Sequence, residues 1–450
     1  MVSHEHAPDL TPDRIAQDGL RSLLVSGPRF FAAARILGAL FALGIVGFVL
    51  RLRGGFEDRA AWGYYAGLFA FLLATVGSAP MVAIGLRLTK ANWRRPLARA
   101  AELYLVGGVF LFLLFIPLLY LVPSAQGRRT IWFSWPNAPH LWDAWALAML
   151  VVCGLLVLYA SAVPDFASAR DSLPGGLRQR VFAWLACRWR GRQRQWAVQR
   201  GVLVLLGAFY FMLLVLVYTL ISSDFAISMV PGWRDPLFPT YQALVGLQAG
   251  VATVILTMYL LRRIGYQEYL GVGPFWSLAK ILLALSLLWF YFWFSGLIVL
   301  WYGRQPVEQN ILKLLWYGPY LPLFLLTAVL NFVGPLLVLM WNPLRRSVVG
   351  PAIASGMILV GTFLDRIRFF VAAFSVEETG VALEHVPPAH LPDGIDMMIV
   401  VGGIAGALFI YLMATRVIPI MAIWELREGL LLRARATVVR LEAIVLGKPS

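Results

Sequence analysis

The sequence is poor in the residues that hold metals and redox groups, with two cysteines and five histidines among 450 residues. Cys153 and Cys187 form no CxxC pair, no haem-attachment CxxCH and no iron–sulfur ligand set. His4 and His6 lie in a polar N-terminal stretch, and His385 and His390 in a late polar connection. Only His140 adjoins an apolar run, whereas bis-histidine haem ligation takes two. These shortages argue against a haem, cluster or metal centre carried by this chain alone. Charge is scarce as well: 14% of the residues are charged, 23 acids against 38 bases. A net charge of +15 invites a nucleic-acid reading, but the bases sit in the connections between apolar runs, so no nucleic-acid partner is expected.

What the chain has in abundance is apolar sequence, 60% of its residues. Runs of about 20 apolar residues, each long enough to cross a hydrocarbon layer roughly 30 Å thick, recur along nearly its whole length. They predict an all-α polytopic membrane protein with ten transmembrane helices, at 30–50, 61–86, 97–122, 141–163, 199–223, 239–261, 276–301, 316–341, 349–374 and 397–420. No signal peptide is evident, since the first apolar run is long enough to remain as a span. With the N-terminus inside, the N-terminal stretch, even-numbered connections and C-terminal stretch hold 26 Lys and Arg. That figure counts Arg99, Arg200 and Arg416 with the adjoining connections. The odd-numbered connections hold 8, and four lie within spans: Arg35, Lys280, Arg366 and Arg368. This bias places both termini in the cytoplasm. The expected organisation is a polar cytoplasmic tail at 1–29, a membrane domain at 30–420 and a basic cytoplasmic tail at 421–450. The densest basic run, "RQRVFAWLACRWRGRQRQWAVQR" between spans four and five, suits an anionic lipid surface.

Two outer connections stand out. The one at 375–396 carries Glu377, Glu378, Glu384, Asp393 and Asp396 without a base, which suits solvation or a basic partner. "IWFSWPNAPHLW" packs three tryptophans and two prolines before span four, a composition for interfacial anchoring or for a lid over the outer end. Gly402 and Gly406 form a GxxxG in span ten that favours close helix packing.

Ionisable groups inside spans are functional candidates by default. Glu102, Lys280 and Arg35 fall near the cytoplasmic face, with Asp165 and Asp171 just beyond span four. Tyr120, His140, Asp143, Asp365, Arg366 and Arg368 fall near the outer face. Asp365 and Arg368 share a helix face and can pair as a structural ion pair. Asp143 has two readings: a cap in the first turn of its helix, or a proton acceptor for a neutral two-electron carrier, with His140 one turn away. The second reading suits a quinol head between aromatic walls. Any electrons must then pass to cofactors on another chain.

Several stretches together resemble the NrfD/PsrC family of quinone-interacting membrane subunits, in the ten-span form found in alternative complex III. They are "TKANWRRPLARAAE", "PHLWDAWAL" with "VPDFASARD", "DFAISMVPGWRDPLFPTY", "YQEYLG", "AKILLALSLLWFYFW", "WYGRQPVEQ" and "FLDRIRFF", in that order from span two to span nine. The resemblance implies two four-helix bundles plus two extra helices. It also implies quinol as a bound substrate at the outer face, with no covalent cofactor and electrons passed to an iron–sulfur subunit. Multihaem cytochrome c subunits and a second NrfD-like membrane subunit are the further implied partners, with membrane lipids, in a bacterial inner membrane. Asp143 stands where the family has its span-four aspartate. Tyr120 stands where a span-three histidine is expected, and Gly296 where a span-seven acid is expected. The resulting expectation is a quinol site of Tyr120, His140 and Asp143, with Trp135, Trp142, Asp365 and Arg366 around the head group. Glu102, Asp165, Asp224 and Lys280 are the expected proton path. The site is either rearranged or lost, as in a scaffold paralogue. Two rivals remain: the membrane anchor of a molybdopterin or polysulfide-type reductase, and an ion-coupled secondary transporter. Against the transporter, the clearest spans lack paired midplane Gly/Pro breaks.

Overall fold

The computed structural model describes residues 11–446 except 25, 123–129, 133, 134, 136, 174, 378–381, 432, 439 and 440. His4, His6 and Glu378 lie outside the described residues, as does much of the expected lid.

Nine helices among the described residues are long and apolar enough to cross a membrane. In chain order these spans are Pro28–Arg53, Ala60–Leu88, Asn92–Leu119, Ala138–Ser172, Gln193–Met229, Phe238–Tyr266, Val272–Gly303, Leu321–Met340 and Gly394–Ala414. A tenth long helix, Val349–Phe374, carries Asp365, Arg366 and Arg368 near its end. It too must traverse. Its start adjoins Arg346, whose guanidinium lies over Trp276 at the head of span seven. Just past its end, the carbonyl of Val376 accepts from Arg59, at the head of span two. It is span nine, and Gly394–Ala414 is span ten.

Spans two to five pack in a closed ring, two on three, three on four, four on five and five on two. Spans six to nine form a second ring in the same way, and spans one and ten pair outside them. The molecule is thus two four-helix bundles plus two helices. Span six, with contacts to spans five, seven and nine, joins the rings. Spans one and ten cross closely because a Cβ on Gly402 would come 2.1 Å from the Cα of Gly44, so neither position tolerates a side chain.

Span four is longer than its apolar run. It continues through Pro164 to Ser172, so Asp165 lies inside the helix and not beyond it. Proline costs the helix one hydrogen bond to the carbonyl four residues back. That carbonyl, of Ala160, instead accepts from the Gln199 side chain of span five at 3.1 Å. Spans two and eight each contain a π-helical turn, Leu73–Gly77 and Val329–Val333. Gly77 and Pro80 follow or end the first, and Gly334 and Pro335 follow the second. These interruptions fall in the first span of one bundle and the third of the other, so they are not a matched pair.

The expected polar tails contain packed structure. A helix at Pro12–Leu24 buries Ile15, Leu20 and Leu23, and Gly19 lies against Ile423 of a second helix, Ile423–Leu431. Arg427 Nε also donates to the carbonyl of Pro12 at 3.1 Å. Both described chain ends therefore sit at one face of the bundle, as an even number of crossings requires. An antiparallel hairpin, Arg433–Val438 with Leu441–Leu446, follows.

Candidate functional site

The ionisable groups fall into separate clusters at the two ends of the molecule. At the end away from the chain termini, Asn137 takes a left-handed φ of 63°, a conformation asparagine tolerates, and turns the chain into span four. The helix starts at Ala138, so Asp143 sits in its second turn, with no acid in the first. Neither Asp143 oxygen receives a hydrogen bond from a backbone or side-chain N–H. The capping reading therefore fails. Asp143 is 1% exposed and faces the carboxyl of Asp224, from the end of span five and equally buried. Asp224 Oδ2 also accepts from the Trp132 indole at 2.7 Å. Trp132 stacks on Trp142 with centroids 6.5 Å apart, and Trp135 meets Trp142 edge-on at 6.2 Å. The arrangement is a shared carboxyl pair under a tryptophan cover.

His140 lies at the margin, with its Nδ1 unpartnered. Tyr120 does not join the group. It is 71% exposed and stacks on Phe56 at 5.3 Å, which stacks in turn on Trp62. No hydrogen bond or ring contact among the described residues links Tyr120 to Asp143 or His140. The carboxylate partner of Asp143 is therefore Asp224, which the sequence reading had assigned to the proton path.

Asp365, Arg366 and Arg368 belong to the second bundle, and no described contact joins them to Asp143. Arg368 pairs with Asp365 at 2.8 Å and donates to the Leu315 carbonyl at 2.7 Å. Tyr241 donates to the other Asp365 oxygen at 3.0 Å. Arg366 turns to span six, donating to the Gln242 carbonyl at 3.1 Å. All three charged side chains are at most 1% exposed. Beside them is a narrow cleft of only about 20 Å³ walled by Trp233, Tyr241, Trp293, Trp316 and Phe369. The indole N–H groups of Trp233, Trp293 and Trp316 have no acceptor. Asp235 caps span six through the amides of Leu237 and Phe238, at 2.9 and 3.1 Å. Its Oδ2 stands 3.9 Å from where a Cβ on Gly296 would be. A carboxyl from the connection before span six thus stands beside Gly296, and burial pushes the Asp235 carboxyl up. The Asp-Pro in "WRDPLFP" was the available signal for it.

At the terminal end the acids meet arginines. Arg87 bridges Glu102 and Glu425, the latter at 2.8 Å. Arg99 holds Asp165 at 2.7 Å, and Ser161 donates to Glu102 at 2.6 Å. Arg94 lies 3.6 Å from Glu425. Arg87, Arg99 and Glu425 were not singled out from sequence. Burial pushes the Glu425 carboxyl up, but Arg87 and Arg94 more than offset this and hold it below the usual range. Lys280 is elsewhere, exposed at span seven with its ammonium 4.3 Å over the Trp276 ring. The four groups assigned to one proton path therefore divide among three places: Glu102 and Asp165 here, Asp224 at the opposite end, and Lys280 on the surface. Of the acids at 375–396, Asp396 is buried and Asp393 stands exposed beside it. Arg51 binds both, at 2.9 and 2.7 Å, and the two aspartates cap span ten reciprocally. Among the described residues, no group of three or more His, Cys, Asp or Glu is placed to hold a metal.

Fold and charge placement define a multi-pass helical membrane protein of two four-helix bundles plus two helices. No family model matches the chain, and no curated protein matches it.

Proposed function

We propose that the chain is the quinol-binding membrane subunit of a respiratory NrfD-like oxidoreductase of the alternative complex III type. The observation that carries the reading is the buried Asp143–Asp224 carboxyl pair beneath Trp132, Trp135 and Trp142. Oxidation of a quinol releases two protons and two electrons. The carboxyl pair can take up one of these protons from a quinol hydroxyl at the tryptophan cover, and the other leaves to the aqueous phase at that face. Indole faces suit a flat ring. The electrons leave to an iron–sulfur subunit, with multihaem cytochrome c subunits beyond it and a second NrfD-like subunit alongside, in a bacterial inner membrane. Isolation from native membranes in mild detergent, with every co-purifying chain identified by mass spectrometry, tests this. An iron–sulfur chain with multihaem cytochromes is the expected result. A molybdopterin chain would make the protein a reductase anchor instead. A chain that purifies alone beside intact candidate partners would overturn electron transfer.

A second reading, an ion-coupled transporter, is favoured by the π-helical turns in spans two and eight, where interrupted helices free backbone groups near mid-span. Purification alone, together with solute counterflow in proteoliposomes, would select it.

A further inference from the structure

At the terminal end, the connection between spans four and five folds over a cavity of about 870 Å³ that extends to the C-terminal helix. Arg170, Arg190, Arg200 and Arg427 line it, against two acids, Asp171 and Glu428. The acids are already engaged, Asp171 by Arg170 at 2.7 Å and Glu428 by Arg200 at 3.1 Å. Arg190 has no acid partner among the described residues, and neither have Arg192 and Arg194 next to it. The cavity therefore keeps an excess of positive charge over its own acids, with Arg190 exposed in it.

A second feature adjoins it. Arg192 and Arg194 stand at a groove of about 420 Å³ whose floor is apolar, formed by Val163 of span four and by Val198 and Val202 of span five. Trp189 lines both the cavity and the groove. Its ring is fixed edge-on against Trp196 at 5.0 Å. The turn that presents these arginines is set by left-handed residues, Cys187, Arg188 and Gly191. Depth is marked by the short helix Leu177–Leu185, which leaves Leu177, Val181 and Trp184 exposed at a spacing of four and three. Such a row dips into the headgroup layer of a bilayer. A cationic cavity at headgroup depth, opening onto an apolar groove between two spans, matches both halves of one class of molecule.

We propose that this is a binding site for an anionic glycerophospholipid. Its phosphodiester is held by Arg190, Arg192 and Arg194, its head group enters the cavity, and an acyl chain lies in the groove over Val163, Val198 and Val202. A soluble phosphate would use the arginines but leave the groove without an occupant, which is why the lipid is the ligand inferred.

Native mass spectrometry of the full chain tests the site, in detergent supplied with equal phosphatidylglycerol and phosphatidylcholine of the same acyl length. Selective retention of phosphatidylglycerol is expected. The double variant Arg190→Glu with Arg194→Glu should lower that retention by at least about fivefold for each arginine. Arg263→Glu, a charge change at the same end outside the site, should leave it unchanged. Equal retention of the two lipids, or unchanged phosphatidylglycerol binding in the double variant, would overturn the proposal. Displacement of the lipid by millimolar inorganic phosphate would overturn it in favour of a free-anion site. Should the double variant fail to fold, Arg194→Gln alone, expected to lose about fivefold, provides the same comparison.

Discussion

Two buried groups of acids in this molecule follow opposite rules, the network beside the C-terminal helix and the pair at the head of span four. At the terminal end, each of Glu102, Asp165 and Glu425 faces a guanidinium, and the group ties spans two, three and four to the C-terminal helix. At the head of span four Asp143 faces another carboxyl, and the second acid accepts from an indole N–H. Buried ion pairs with satisfied geometry are structural elements; removing one partner strands a charge. Two carboxyls held together out of water, by contrast, contribute little to stability and are costly to maintain. Positions that cost stability and persist are where function is expected. The contrast sets a structural network beside the C-terminal helix apart from the carboxyl pair at the head of span four, where the proposed chemistry lies.

The largest effect should come from breaking the structural end. Arg99→Ala leaves Asp165 without its 2.7 Å partner at a fully buried position. A loss of about 3–5 kcal/mol is expected, read as a fall in the thermal midpoint of the detergent-solubilised protein. A variant as stable as the parent would mean that water or another group serves Asp165, and the contrast between the ends would weaken.

Asp143→Asn should behave in the opposite sense. It keeps the shape, and its amide can donate to Asp224 without needing a proton between carboxyls. Stability is expected to hold or rise, while quinol turnover in the assembled complex falls by about 10²-fold or more, the usual contribution of a positioned acid–base group. Turnover within about twofold of the parent would remove Asp143 from the chemistry.

Much of this contrast was written in the sequence, but unevenly. Apolar run length located the spans, because a hydrocarbon layer imposes one length on every crossing; ten such spans allow two four-helix bundles plus two helices without requiring them. Asp143 stood out because an acid at the head of an apolar run is costly. Its partner did not. Asp224 lies 81 positions away in the chain, and the pairing depends on how spans four and five pack, which no local pattern encodes. Tyr120 was placed by motif shape beside Asp143, yet its ring follows Phe56 out to the surface. The ends of span four were misjudged for a physical reason: Pro164 reads as a helix stop until Gln199 is seen to take up the freed carbonyl. Glu425 looked like part of a solvated tail because charge near a terminus normally is; only the packing of Ile423–Leu431 against Arg87 and Arg94 reveals its use.

The smallest expected effect separates the ends by pH. Glu425 lies outside the spans, and its carboxyl is held below the ordinary range because Arg87 and Arg94 outweigh the effect of burial. An acid whose folded-state value is depressed stabilises the fold above its unfolded value, near pH 4.5, and that contribution fades as the pH falls below it. Acidification should therefore loosen Ile423–Leu431 from the bundle first, seen as faster amide hydrogen exchange in that helix below about pH 4.5. The head of span four should not respond in step, since Asp143 there faces another carboxyl and not a guanidinium. In Glu425→Gln the exchange rate should be raised already at neutral pH and should lose most of its acid dependence. If both ends loosen together in the parent protein, the terminal network is not the acid-sensitive element, and the division between a structural end and a chemical end does not hold.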